Sequence, residues 1–311
     1  MRRIFFNLTR KLLASLPRWE QGLAYLGRNC AGSRVVKSLC YHTGEAVARR
    51  GGSLDRIAVV NGGASLCVSL EEHLFRSIYF HGTHELETSQ LLRRLVKPGQ
   101  TWLDIGANVG VFTVAMAKLV GTEGRVFAYE PNPRLCAMLR RSIALNGFTN
   151  VELRETALSD SCGSASLHVP SAPAATPGGS GRASLLAQAS IGSVDIHNVA
   201  SARLDDDLPP DTIVDGIKID VEGYELAVFN GMSARLASNP PGAILFEASR
   251  LPEALATPEE LITKLGEYGY DCYELTSFSK IVPGQRFTGG MCDNLLAILR
   301  GNREIRRELR I

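Results

Sequence analysis

Long apolar runs are what this 311-residue sequence lacks most plainly. None approaches the roughly 18 consecutive apolar residues that a membrane-crossing helix requires, so the expectation is a soluble chain. Paired cysteines are also missing. Cys30, Cys40, Cys67, Cys136, Cys162, Cys272 and Cys292 are odd in number, scattered and never spaced C-x-x-C. That argues against a disulfide framework and a zinc site, and it fits a reducing cytoplasm. Acids are scarce in the first 50 residues, where ten Lys and Arg face only Glu20 and Glu45. This stretch is near +8, and the remaining 261 residues are near −6.

What is present is ordinary for a globular protein: 45% apolar and 21% charged residues, enough for one large domain or two modest ones. The opening "MRRIFFNLTRKLLASL" puts Phe5, Leu8, Leu12 and Leu16 on one helical face, with its cations mostly elsewhere. It is not the uninterrupted apolar stretch of a signal peptide. Either the helix packs its apolar stripe on the main domain, the plainer reading, or it rests on a membrane surface. Residues 1–80 show no strand–helix rhythm and are expected to form a basic, mostly helical extension to a domain spanning 81–311.

From residue 101 short apolar runs alternate with helical patterns. "TWLDIG", "GRVFAYE", "NVELRETAL", "DGIKID", "AILFEAS", "YDCYEL" and "NLLAIL" read as strands. "VFTVAMAKLVG", "PNPRLCAMLRRSIALNG", "YELAVFNGMSARLA" and "TPEELITKLGEYG" read as the helices between them. Strands joined by helices of this length imply parallel crossovers in a doubly wound α/β sheet of about seven strands. Residues 170–183, "PSAPAATPGGSGRA", have no periodicity and read as a mobile loop.

The turn "LDIGANVG" follows a strand and opens a helix, where a doubly wound fold offers backbone N–H groups to a ligand. Gly106 and Gly110 leave room for close approach. The middle glycine of the dinucleotide fingerprint is absent, and Asp104 precedes the turn, a departure from a pyrophosphate cradle. Glu130 ends the next strand, where an acid can accept both ribose hydroxyls of a nucleoside. Together these features describe a pocket for a nucleoside without a pyrophosphate. They resemble the Rossmann-like S-adenosylmethionine-dependent methyltransferases.

The runs "PGQTWLDIGANVGVFTVAMAKLVGTEGRVFAYEPNP", "LRRSIALNGFTNVELRETALSD", "RLDDDL", "IKIDVEGYELAVFNGM" and "ILFEAS", in this order, resemble the FkbM family of methyltransferases over roughly residues 84–299. The resemblance implies a mostly parallel sheet whose last strand is antiparallel, and S-adenosylmethionine as cofactor. It places Asp104, Gly106, Ala107, Asn108, Gly110, Glu130 and Asn132 around the cofactor, with Ala157 and Leu158 flanking adenine. It also implies that Glu85, in "HELETSQLL", lines the pocket, and that "GRASL" at 181–185 lies toward the substrate.

Methylation of a hydroxyl calls for a general base or a metal that acidifies the oxygen. Asp220 and Glu247 end adjacent strands in the expected sheet, so either could act as base, or the pair could hold Mg²⁺. Asp220 is also a candidate cofactor contact. Lys218, deep in the same strand, needs a buried partner, and Asp220 is the nearest. Glu222 and Glu225 sit where negative charge suits a helix N-terminus. His81 and His84 precede the cofactor fold, within reach of the pocket, although a lone histidine is more often a satisfied polar group.

The FkbM resemblance points to O-methylation of a sugar, glycan precursor or other small metabolite. Methylation of nucleic-acid bases is disfavoured by "DVEG" in place of an Asn/Asp-Pro-Pro-aromatic motif, and the N-terminal region has no clustered aromatics for base stacking. Ribose 2′-O-methylation of RNA and a non-catalytic cofactor-binding scaffold stay open.

Overall fold

The computed structural model describes residues 19–29, 34–48, 54–60, 62–171, 182–187, 193–275 and 292–311. Helices α1 (Trp19–Asn29) and α2 (Arg34–Ala48) come first, then strands β1 (Asp55–Val60) and β2 (Ala64–Ser69), then α3 (His73–His81) and α4 (Leu86–Leu95). The central part runs β3 (Thr101–Ile105), α5 (Val111–Val120), β4 (Arg125–Tyr129), α6 (Pro133–Asn146), β5 (Val151–Arg154), β6 (Ala157–Leu158), β7 (Gly163–Pro170) and β8 (Val194–Ala202). It continues through α7 (Leu204–Asp207), β9 (Gly216–Ile219), α8 (Glu225–Gly231), α9 (Ser233–Ser238), β10 (Ala243–Ser249), α10 (Pro258–Glu267), β11 (Tyr270–Glu274), β12 (Cys292–Leu299) and α11 (Arg303–Leu309).

Seven strands form one sheet in the order β11-β12-β10-β9-β3-β4-β5. The pairs among β10, β9, β3, β4 and β5 are parallel, and β12 is antiparallel to both its neighbours. This is the doubly wound α/β arrangement the strand–helix rhythm predicts. Its central strands are nearly continuous apolar runs because helices cover both faces. Leu103, Ile105, Ile217, Ile219 and Phe246 pack toward α8–α10, whereas Trp102, Val126, Leu245 and Leu296 pack toward α4 and α5.

The register sets up the site. Asp104 lies beside Lys218 across the β3–β9 pair, and Glu247 lies opposite Asn294 across the β10–β12 pair. Gly216 is small because its neighbour on β3 is Trp102, whose ring would lie 2.4 Å from an added Cβ.

Four features depart from the sequence reading. The expected mostly helical extension also holds a hairpin, β1 and β2 pairing antiparallel on either side of the Asn-Gly turn signal "NGG". Its Leu66 and Val68 share a core with Phe75 of α3 and with Val111, Val114 and Leu135. The main chain of Cys67 donates to Ser142 Oγ at 2.9 Å. Helix α3 runs across residue 80, so packing is continuous where the boundary was expected. "NVELRETAL" is two strands, because β6 leaves the main sheet to join β8 and β7 in a three-stranded sheet that the sequence reading did not anticipate. "YELAVFNGMSARLA" breaks at Met232 into α8 and α9.

The expected amphipathic helix at 1–16 and most of the expected loop at 170–183 lie outside the described residues. Among the described residues, no helix is long and apolar enough to cross a membrane, and Cys40, Cys67, Cys136, Cys162 and Cys272 are free thiols.

Candidate active site

A cavity of about 250 Å³ opens at the C-terminal ends of β3, β4, β9 and β10, the edge at which open α/β sheets bind ligands. Its wall includes Glu85, Gly106, Asn108, Glu130, Ala157, Leu158, Asp220 and Glu247, all anticipated from the sequence. Asp104, Ala107, Gly110 and Asn132, anticipated alongside them, do not line it. His84, Ser184, Leu185, Glu222 and Tyr224 complete it.

The glycine turn is shaped by contacts with neighbouring strands. Main-chain N–H groups of Gly106 and Ala107 both donate to Tyr129 O, at 2.9 and 3.0 Å. Gly106 has φ +77, and an added Cβ would sit 1.8 Å from Asp220 O, so β3 and β9 can meet here only through glycine. Asn108 follows at φ +53. Its main-chain N–H donates to Glu130 Oε2 at 2.8 Å, and that of Asn132 donates to Oε1 at 2.9 Å. Each Glu130 oxygen keeps a lone pair for a diol. Burial pushes this carboxyl up to about 7, against the pull of those two N–H groups.

Asp104 does not reach the cavity. It is fully buried, accepts from Thr113 Oγ1 at 2.5 Å and lies 3.9 Å from Lys218 Nζ. Lys218 is itself buried, 3.0 Å from Asp220 Oδ2 and 4.9 Å from the centre of the Phe112 ring. Burial alone would lower its pKa; the charges of Asp220 and Asp104 outweigh that and raise it, so the ammonium persists. The Lys218–Asp220 pair expected from strand periodicity is present, and Asp104 joins it through the parallel register. Asn132 caps α6, accepting from the main chain of Arg134 at 3.1 Å. Its buried Nδ2 has no hydrogen-bond partner, an unused donor next to the wall residue Pro131.

Four carboxyl groups crowd the far end. Asp220, Glu222 and Glu247 each offer an oxygen within 4.8 Å of the others. Burial raises the Asp220 pKa, while the Lys218 charge and a hydrogen bond with Glu247 act the other way and leave it below the ordinary carboxylate range. Glu222 behaves oppositely, pushed to about 8 by burial and then by the Asp220 charge, although Arg182 Nε lies 3.7 Å away. Glu85 accepts from Thr88 Oγ1 at 2.9 Å and Asn294 Nδ2 at 3.3 Å, and its Oε1 lies 3.2 Å from His84 Nε2. Burial raises the Glu85 pKa, but the His84 bond and the Lys218 charge bring it below the ordinary value.

Glu222 is the site residue that the sequence reading placed elsewhere, as a cap for the helix at Tyr224. The helix has no side-chain cap; Glu225 Oε1 accepts from the main chain of Gly223 at 3.1 Å in the turn before it, and Glu222 lines the cavity instead. Its φ of +52 is why period-two counting failed there. Among the described residues, the non-glycine positions with positive φ are Glu85, Asn108, Glu222 and Arg310, and the first three line this cavity. Held strain of this kind clusters where side chains must be aimed.

Residues 104–272 match the model of the methyltransferase FkbM domain. This chain belongs to the FkbM methyltransferase family. The family cofactor is S-adenosylmethionine, and the residues fit it: a glycine cradle that a Cβ would fill, an acid with two free lone pairs, and an unpartnered amide donor nearby.

The chain is 31% identical over 113 residues to protein-L-isoaspartate O-methyltransferase 1 of Arabidopsis thaliana, covering 35% of this chain and 49% of that one. It is also 31% identical over 185 residues to the hexuronic acid methyltransferase AglP of Haloferax volcanii, covering 58% and 70%. The chain thus spans about half of the first relative and seven-tenths of the second. Among solved structures, a SAM-dependent methyltransferase from Aquifex aeolicus aligns at 15% identity and a TM-score of 0.40, over 69% of this chain and 89% of that one.

Proposed function

We propose that this chain is an S-adenosylmethionine-dependent O-methyltransferase acting on a hydroxyl of a sugar, glycan precursor or other small metabolite. The observation that carries the reading is the position of Asp220 and Glu247, hydrogen-bonded to each other where β9 and β10 end in the same cavity as Glu130 and the glycine turn. The bound cofactor supplies an electrophilic methyl group on a sulfonium. The protein must then orient an acceptor and manage its proton.

Clustered carboxyls suit a neutral polyol, whose hydroxyls donate to them. They oppose an RNA acceptor, because phosphates next to Asp220 and Glu85 would meet like charge. The hexuronic acid methyltransferase supports a sugar acceptor by similarity. Asp220 and Glu247 are assigned to the transfer end with Glu85 beside them, and Glu130 to the cofactor end. A divalent cation among Asp220, Glu222 and Glu247 is the other chemistry that the oxygen cluster could host.

The test is mass spectrometry of glycans and small metabolites from cells with and without the gene, paired with transfer from methyl-labelled S-adenosylmethionine by the purified chain. A missing methyl ether in the deleted strain is expected, and an unchanged profile would sink the small-molecule reading. Asp220→Asn should lose turnover and hold cofactor affinity within a few-fold, whereas Glu130→Ala should lose affinity first. Cofactor binding with no transfer to any hydroxyl would identify a scaffold.

A further inference from the structure

We propose that His84 is the general base that takes the acceptor hydroxyl's proton, with Glu85 positioning its imidazole; this rests on the O-methyltransferase reading above. His84 lines the same cavity as Asp220 and Glu247, and its side chain is 37% exposed. Its Nε2 faces Glu85 Oε1 at 3.2 Å. A carboxylate at that nitrogen selects the Nε2–H tautomer and leaves the Nδ1 lone pair bare, the form a base must have.

The local backbone holds this pair. The His84 carbonyl accepts from Thr83 Oγ1 at 3.4 Å and from Ser89 Oγ at 3.2 Å, and Glu85 sits at φ +48 ahead of α4. Thr88 and Asn294 fix the other Glu85 oxygen. Asn294 is opposite Glu247 across the β10–β12 pair, so β12 ties the carboxylate that positions the base to the strand that carries Glu247.

The acids in the wall are less suited to the task. The Lys218 charge holds the Asp220 carboxyl below the ordinary range, which makes it a weak proton acceptor, whereas burial and the Asp220 charge push Glu222 up to about 8. Glu130 has both oxygens on main-chain N–H groups at the cofactor end. The titratable and charged groups that share the site with the imidazole are Glu85, Asp220 and Lys218, with Glu222 and Glu247 also in the cavity wall.

In the step, the acceptor O–H proton passes to Nδ1 and the oxygen forms a C–O bond to the methyl carbon. The C–S bond breaks with its electron pair on sulfur. The positive charge leaves the sulfonium as it appears on an imidazolium next to Glu85.

Two measurements test this. Ring ¹⁵N shifts of His84, assigned by comparison with His84→Gln, should show Nε2 protonated and Nδ1 bare in the wild type at pH 8. An Nδ1–H ring overturns the assignment whatever the acceptor. With a panel of neutral glycosides, His84→Gln should cut kcat about 100-fold, within the range general bases supply, at unchanged S-adenosylmethionine affinity. Glu85→Gln should lower kcat less and shift the alkaline-going limb of the pH–rate profile. Equal rates for wild type and His84→Gln would overturn the base role and leave the O-methyltransferase reading intact. Wild-type transfer to carboxylates alone would overturn both, and turnover abolished by EDTA and restored by Mg²⁺ would overturn the base in favour of a metal.

Discussion

Replacing Lys218 by Met is the most direct probe of how the site is held. Met keeps the length and most of the packing against Phe112, so the change removes a charge more than a shape. Two carboxylates then lose their cation, Asp220 at 3.0 Å and Asp104 at 3.9 Å. Breaking a buried pair from one side costs about 3–5 kcal/mol, because the remaining charge is stranded.

The low end of that range applies here. Burial already raises the pKa of Asp104, so it protonates readily, and Asp220 keeps 24% side-chain exposure through which water can reach it. At roughly 2–4 °C per kcal/mol, a loss of about 3 kcal/mol lowers the melting midpoint by ~6–12 °C. Urea and thermal unfolding followed by circular dichroism would measure this. Adding Asp104→Asn should restore part of the loss, a non-additivity expected of groups in contact. A Lys218→Met chain within 1 kcal/mol of wild type, with no recovery from Asp104→Asn, would refute the claim that the ammonium holds the two carboxylates.

The remaining expectations are shorter. Gly106→Ala must relieve a 1.8 Å contact with a main-chain oxygen and hold φ +77, at a cost of at least ~1–2 kcal/mol from the backbone conformation alone. Calorimetry should show at least tenfold weaker S-adenosylmethionine binding, whereas Gly110→Ala should be milder because the atom it meets is the flexible end of Leu139. Glu130, Glu222 and Glu225 have pKa values raised from 4.5 to about 7, 8 and 7, each chiefly by burial. A folded-state pKa above the unfolded value means the folded chain holds protons that the unfolded chain has released. The stability present below about pH 4.5 is therefore lost as pH rises through 7 to 8. The melting midpoint of the cofactor-free chain should fall from pH 5.5 to 8, and Glu222→Gln should flatten the upper part of that slope. A midpoint that rises over this range would contradict the burial argument.

Much of the fold can be read from the chain because its signals are local. Apolar runs five to seven residues long, punctuated by helices that start at Pro133 or Thr257 and end at Gly121 or Gly147, imply a doubly wound sheet, and "LDIGANVG" with Glu130 places a nucleoside at its edge. Splitting "NVELRETAL" required knowing that β8 would pair with Ala157 and Leu158, a contact made about 40 residues away in sequence. The β1–β2 hairpin carries the local turn signal "NGG" but lies outside the strand–helix rhythm that marks the main sheet.

Side-chain roles divide along the same line. Strand periodicity alone put Lys218 and Asp220 on one face and so paired them. Only the parallel register brought Asp104 to the same ammonium, and only left-handed φ values at Glu85 and Glu222 turned those acids inward. The sequence supplied the residue types and their spacing, which settle the elements and the cofactor class. Which carboxyl keeps its proton, and which histidine meets a carboxylate, depends on burial and on charges from distant strands, quantities that exist only once the sheet has assembled.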